Sequence, residues 1–330
     1  WHLILLLPLL MLLPNCENSD SPADEQAPLI ADMLPLTAMD EGPVFHTLEG
    51  YDQKWTALVR EGVERAQAYW GTYGPVHVWI VGLEEGDAIS PTAKQAFLEE
   101  YCTWRTATTY RSMAECRPHA HQQFIDVAES GEAQAYLSGV PEATPPKAEL
   151  VFINVHEWFF EDDPIPDPVL RGIHEYTHVY QLAIGHMPTW MMEGGAVFAE
   201  SWLPSLDGRR PPEVNMEQIM ERVHRTSDPN LSIADMENID TASEVAAEYY
   251  LQLAYDSGAW AIAFIVHHSP TQSVSALRDQ FFPLVTELGW ETALSQYVGM
   301  KDKAEFYDAF DVFMDAPRAE QLKLLSELKP

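Results

Sequence analysis

Apolar positions first fall at helical spacing between Tyr51 and Trp70. There Trp55, Leu58, Val59, Val63, Ala66 and Tyr69 recur every three or four residues and predict an amphipathic helix. Gly74-Pro75 ends that pattern, and Val76-His77-Val78-Trp79-Ile80-Val81 replaces it with a β-branched run that predicts a strand. Residues 91–140 mix helical and loop patterns. Pro145-Pro146 then leads into a second predicted strand, Leu150 to Val155. An acidic, proline-bearing loop from Glu161 to Pro168 precedes a helix from about 169 to 184. The remaining helices are predicted at roughly 190–203, 214–225, 243–267, 271–279, 290–298 and 303–327. No internal repeat is present. This order predicts an α+β fold: a mixed α/β front half, 46–168, with a small mixed sheet packed on the helix at 169–184, and a mainly helical back half, 169–330.

The N-terminal pattern is of another kind. Leu3 to Leu13 is almost continuously apolar, too short to span a bilayer but of the length of a signal-peptide core. The run ends in Leu13-Pro14-Asn15-Cys16, which resembles a bacterial lipoprotein cleavage site. The resemblance implies that residues 1–16 are a signal peptide, that Cys16 is lipidated, and that the protein sits in the bacterial cell envelope on a lipid anchor, or is secreted. Residues 17–45, rich in Asp, Glu, Ser, Pro and Ala, read as an acidic flexible tether. With Cys16 assigned to lipid, Cys102 and Cys116 remain. An oxidising compartment predicts a disulfide between them, the alternative being two separate buried thiols. The 51 acidic and 19 basic residues give a formal charge of −32, which repels phosphate backbones and argues against a nucleic-acid partner.

Candidate chemistry lies in the helix at 169–184, which contains His174-Glu175-Tyr176-Thr177-His178, the HExxH pattern. Four helical residues turn the chain through about 400°, so both imidazoles share one face and can reach a common Zn²⁺. Glu175, beside the first histidine, is placed to take a proton from water. A catalytic zinc needs a third protein ligand. Glu193, in Trp190-Met191-Met192-Glu193-Gly194-Gly195-Ala196, opens the next predicted helix, and a short turn through Gly185 would bring it back alongside the first. Glu200, seven residues later, lies on the same helical face as Glu193. It is either a group that orients a zinc histidine or a solvated surface acid.

These motifs resemble those of the gluzincin metallopeptidases, most closely the aminopeptidase-N-like branch, in which HExxH is followed by W-L-x-E-G-x-A. Trp190, Glu193, Gly194 and Ala196 match, with Met191 in place of the leucine. The resemblance implies a zincin-type catalytic domain with one Zn²⁺ held by His174, His178 and Glu193. It also implies a Y-x-x-G tyrosine that steadies the oxyanion, matched here by Tyr255-Asp256-Ser257-Gly258, with Tyr249 and Tyr250 as nearby substitutes. The G-x-M-E-N strand of the aminopeptidases has no match in Leu150 to Val155, which argues against a dedicated aminopeptidase.

The expected activity is hydrolysis of peptide bonds in a peptide or protein substrate. The alternatives are a non-catalytic envelope binding or scaffold protein on the same fold, and a zinc hydrolase acting on a non-peptide amide or ester. Cys116, His119 and His121 have metal-like spacing but lack a fourth ligand, and Phe160 spoils an HExxH reading of His156-Glu157. His267 and His268 end an apolar helix, where a histidine suits the helix dipole.

Overall fold

The computed structural model describes residues 35–330 apart from 85–86, 108, 110–111, 141–142, 158–166 and 225–229. Cys16 and most of the predicted tether lie outside the described residues. The strands are β1 (Thr37–Ala38), β2 (Val44–Thr47), β3 (Tyr73–Gly74), β4 (Val76–Val81), β5 (Gln134–Val140) and β6 (Lys147–Ile153). The helices of the front half are α1 (Gln53–Trp70), α2 (Pro91–Thr106), α3 (Met113–Ala120) and α4 (Val127–Glu129). The back half holds α5 (Pro168–Ile184), α6 (Thr189–Trp202), α7 (Pro212–His224), α8 (Glu244–Glu248) and α9 (Gly258–His268). It ends with α10 (Phe282–Leu288), α11 (Trp290–Val298), α12 (Lys303–Met314) and α13 (Arg318–Glu327).

The fold is mixed α+β, with a small sheet and a helical C-terminal region. The main sheet has the order β2-β4-β6-β5, with β2, β4 and β6 parallel and β5 antiparallel at the edge. Side chains alternate across it with the strand period of two. Val76, Val78 and Ile80 of β4, with Ala148, Leu150 and Phe152 of β6, face the large core formed with α1, α5 and the C-terminal helices. Trp79, Val81, Val151 and Ile153 face a smaller core under α2 and α3. The large core runs through both halves of the chain.

Helix α5 starts where Asp167 accepts a hydrogen bond from Val169 N, with Pro168 at the first helical position, and stops at Gly185, whose φ of 121° suits glycine. Every residue from Pro168 to Leu182 is buried. A helix buried on all sides is a core element, yet this one carries Arg171, His174, Glu175, His178 and Gln181 inward. Its neighbour α1 comes close because Gly62 and Gly172 face each other; a Cβ on Gly172 would lie 2.5 Å from Val59 O. Trp70 Nε1 adds a buried hydrogen bond to Thr177 Oγ1 at 3.0 Å.

Several predicted boundaries move. Residues 37–38 and 44–45, read as tether, belong to β1 and β2, because Val44-Phe45-His46-Thr47 pairs in register with His77 to Ile80. β5 lies in the stretch read as helix and loop. The helix predicted at 243–267 is three pieces, α8, a π-helical segment Leu251–Ser257, and α9. The helix predicted at 271–279 begins only beyond Ser273, because Gln272 has a φ of 53° and Ser273 pairs with Lys329, and it continues through a π-helical segment, Leu277–Phe281, into α10. The helix predicted at 303–327 breaks before Pro317, which supplies no backbone donor, giving α12 and α13. Among the described residues no helix is long and apolar enough to cross a membrane.

Candidate metal centre

A four-residue turn, 185–188, reverses the chain after α5 and lays α6 against it. The reversal brings three side chains from two helices to one point. Glu193 Oε2 lies 3.4 Å from His174 Nε2 and 3.4 Å from His178 Nε2. The imidazole rings stand nearly perpendicular, 83° apart, with centroids separated by 4.7 Å. The three residues form the one group of His, Cys, Asp and Glu side chains among the described residues that could hold a metal ion. Glu193 Oε2 is buried and has no hydrogen-bond partner, although two ring nitrogens face it. Convergent lone pairs that do not satisfy one another are the arrangement a shared cation would complete.

The groups behind these three are also polar and buried. His174 Nδ1 faces Glu200 Oε1 at 3.3 Å, and Arg171 Nη2 approaches the same oxygen at 2.9 Å. Glu200 is 1% exposed, so the surface-acid alternative is ruled out by its burial. His178 Nδ1 faces Gln181 Oε1 at 2.7 Å. Neither Arg171 nor Gln181 was singled out in the sequence. Each lies three residues from a histidine on the same helical face, and that spacing was the available signal.

The two tyrosines depend on the π-helical segment. In an α-helix, residues five apart point about 140° away from each other. The i→i+5 winding of Leu251–Ser257 instead stacks such residues on one face. Tyr250 and Tyr255 therefore both turn to the centre, with ring centroids 5.4 Å apart. Tyr255 lies over His174 at 5.6 Å, with ring planes within 11°. Tyr250, only a substitute in the sequence reading, donates its hydroxyl to Glu193 Oε1 at 3.1 Å. Arg222 of α7 grips Asp256 through Nη2 and Nε at 2.7 and 3.1 Å and fastens the segment from outside. Gly194 and Gly258, the glycines of the two short motifs, touch each other. A Cβ on Gly194 would sit 2.1 Å from Gly258 C, so α6 and α9 can meet closely enough to share a site only with glycine there.

The electrostatics follow from burial and mutual proximity. Burial alone would make His174 less basic, but Glu193 and Glu200 outweigh it and push the ring up to about 10. His178 is raised in the same direction against its burial, chiefly by Glu193. Burial would raise Glu193, yet His178 and His174 hold it well below the usual carboxylate range. Glu175 is 4% exposed, and burial raises its carboxyl despite the two imidazoles. Burial, and then the charge of Glu193, pushes the Tyr255 hydroxyl well above its ordinary value, so it stays a proton donor. Were a divalent cation to displace the protons of both rings, the carboxylates of Glu175, Glu193 and Glu200 against Arg171 would leave two negative charges in excess, which the cation would balance.

The other sequence candidates lie elsewhere. Cys102 and Cys116 are at disulfide distance, with sulfurs 2.06 Å and Cα atoms 5.7 Å apart, so Cys116 is not held for a metal with His119 and His121. His156 Nδ1 lies 3.0 Å from the Tyr51 hydroxyl. His267 bonds Glu327 at 2.8 Å, and His268 bonds Phe264 O within its own helix. Comparison of the chain with protein-family models, curated proteins and solved structures returns no match.

Proposed function

We propose that this chain is a zinc metallopeptidase of gluzincin type, with His174, His178 and Glu193 as the metal ligands. The observation that carries the proposal is the pair of equal 3.4 Å separations between Glu193 Oε2 and the two Nε2 atoms. Tetrahedral zinc with bonds of about 2.0–2.1 Å separates its ligand atoms by about 3.3–3.4 Å. Two histidines and one carboxylate also match the donor set of catalytic rather than structural zinc. The HExxH and W-x-x-E-G-x-A motifs support the same reading.

When bound, zinc would lower the pKa of a water molecule toward neutrality and polarise a carbonyl group. Glu175 accepts the proton of the attacking water and returns it to the leaving amine, a role suited to a buried carboxyl of raised basicity. Tyr255 donates its hydroxyl to the oxygen on which negative charge develops. Tyr250 holds Glu193 through Oε1 and leaves Oε2 for the metal. Glu200, tied by Arg171, orients His174. The substrate is a peptide or protein, and the protein is held at the bacterial envelope by lipid on Cys16.

Metal analysis of the purified chain and a fluorogenic peptide-library digest, with and without chelator, test the proposal together. Wild type is expected to hold one zinc and to cleave peptides in a chelator-sensitive way, and Glu193→Ala is expected to lose the metal. Glu175→Ala is expected to keep zinc while hydrolysis falls by about 10²–10⁴-fold. Retained turnover would remove Glu175 as the base. A zinc-loaded wild type that cuts no peptide would redirect the search to other amides and esters or to a binding role.

A further inference from the structure

Gln181 lies one turn beyond His178 on α5 and is fully buried. Its amide spans two helices. Oε1 is 2.7 Å from His178 Nδ1, and Nε2 is 2.8 Å from Met192 O, the carbonyl immediately before Glu193. A backbone carbonyl can only accept, so the NH₂ end of the amide must face Met192. The oxygen end then faces His178 and can only accept in turn. His178 Nδ1 therefore carries a proton, and in the neutral ring that a metal would bind it is Nε2 that keeps the lone pair, on the side of Glu193.

Two further features fit this placement. Gly195 leaves room for the amide, since a Cβ there would lie 2.8 Å from Gln181 Nε2. The side chain is also neutral, whereas His174 already has the carboxylate of Glu200 behind it. A second ionised carboxylate here would deepen the negative charge excess of the buried cluster.

We infer that Gln181 is a positioning residue for the metal centre: one amide sets the tautomer of His178 and fixes the start of α6, which carries Glu193, against it. This rests on the zinc reading above and adds to it a residue that touches neither metal nor substrate.

The test uses Zn²⁺ itself, with affinity measured by competition against a chromophoric chelator, and Co²⁺ absorption as the report on coordination. Gln181→Met keeps the volume and removes both hydrogen bonds. It is expected to weaken zinc binding by about 10–100-fold and to alter the Co²⁺ spectrum. Gln181→Glu keeps an acceptor for His178 Nδ1, so its affinity is expected to stay above that of Gln181→Met. Gly195→Ala displaces the amide without removing it and is expected to weaken zinc by several-fold; should Gln181→Met fail to fold, this variant carries the test. Unchanged affinity in Gln181→Met or Gly195→Ala overturns the inference, as does a Gln181→Glu no tighter than Gln181→Met. A wild type that binds no zinc overturns the function proposal and this inference together. A wild type that binds zinc beside an unaffected Gln181→Met overturns only this one.

Discussion

On the α5 side of the sheet, Glu200 meets Arg171 at 2.9 Å; on the opposite side, under α2, Glu149 meets Arg105 at 3.6 Å. Both carboxylates are almost completely buried, at 1% exposure each. Their surroundings differ. Glu149 accepts from the Tyr101 hydroxyl at 3.4 Å and sits in a small core of aromatic rings, Trp79, Phe97, Tyr101 and Phe124. Glu200 faces the back of His174, whose other nitrogen converges with His178 on Glu193. A buried ion pair by itself is compatible with a purely structural role. What distinguishes the α5 side is that side chains from two helices are aimed at one common point.

The same truncation on each side tests that distinction. Removing one partner of a buried pair costs about 3–5 kcal/mol, so Glu200→Ala and Glu149→Ala should both lower the unfolding free energy of the zinc-free chain by that amount. Only Glu200→Ala should also weaken zinc, by about 10–100-fold, because only Glu200 stands behind one of the proposed ligands. Denaturant unfolding and chelator competition separate the two effects. If Glu149→Ala weakened zinc as strongly as Glu200→Ala, the two sides would not be independent and the contrast would fail.

The contrast was only partly legible beforehand. HExxH and the Glu193 segment are local patterns whose geometry follows from helical periodicity and one short turn, so His174, His178 and Glu193 could be read as a set. β4 and β6 were visible as apolar β-branched runs, and Cys102 with Cys116 as a pair left over by counting. Arg171 and Gln181 were hidden because polar residues on a helix ordinarily mark its wet face, and nothing local says that α5 is wrapped on every side. Tyr250 was visible only as a substitute for Tyr255, and its contact with Glu193 was hidden for another reason. Its approach to Glu193 depends on π-helical winding, whereas an α-helical reading turns it away from Tyr255. Pro317 marks the break between α12 and α13 locally, but the apolar positions on either side of it continue at helical spacing and hide it. The edge strands β2 and β5 are defined by their partners more than by their own residues.

The disulfide offers a second, smaller perturbation confined to one side. It joins α2 to α3 on the Glu149 face and closes a loop of separation 14. A loop of that length stabilises by about 3 kcal/mol in the chain-entropy account. The double variant Cys102→Ala, Cys116→Ala should lose stability of that order while its zinc stoichiometry and affinity stay those of wild type. Loss of zinc from this variant would mean that the small core supports the centre across the sheet.

The mildest perturbation is protonation of His77 on the same face. His77 Nδ1 lies 2.9 Å from His46 Nε2, His46 Nδ1 lies 2.7 Å from Glu100 Oε1, and the His77 ring leans on Trp104 at 4.7 Å. Burial, and after it the charge of His46, lowers His77 from 6.5 to about 4. Above pH 6.5 the ring is neutral in both folded and unfolded chains, and this group adds no pH dependence. Between 6.5 and about 4 the unfolded chain takes up a proton that the folded chain resists, so stability falls as pH falls; below about 4 the loss is complete. The ring is only partly buried, so solvent screening keeps the effect below about 1 kcal/mol. His77→Phe removes the group, and its unfolding free energy should decline less steeply than wild type between pH 6.5 and 4.5. Because His174, His178 and every surface carboxylate are shared by the two proteins, the difference between their slopes isolates His77 together with His46, which faces it. Equal slopes would mean that His77 takes up its proton alike in the folded and unfolded chains, so that its burial leaves its basicity unchanged.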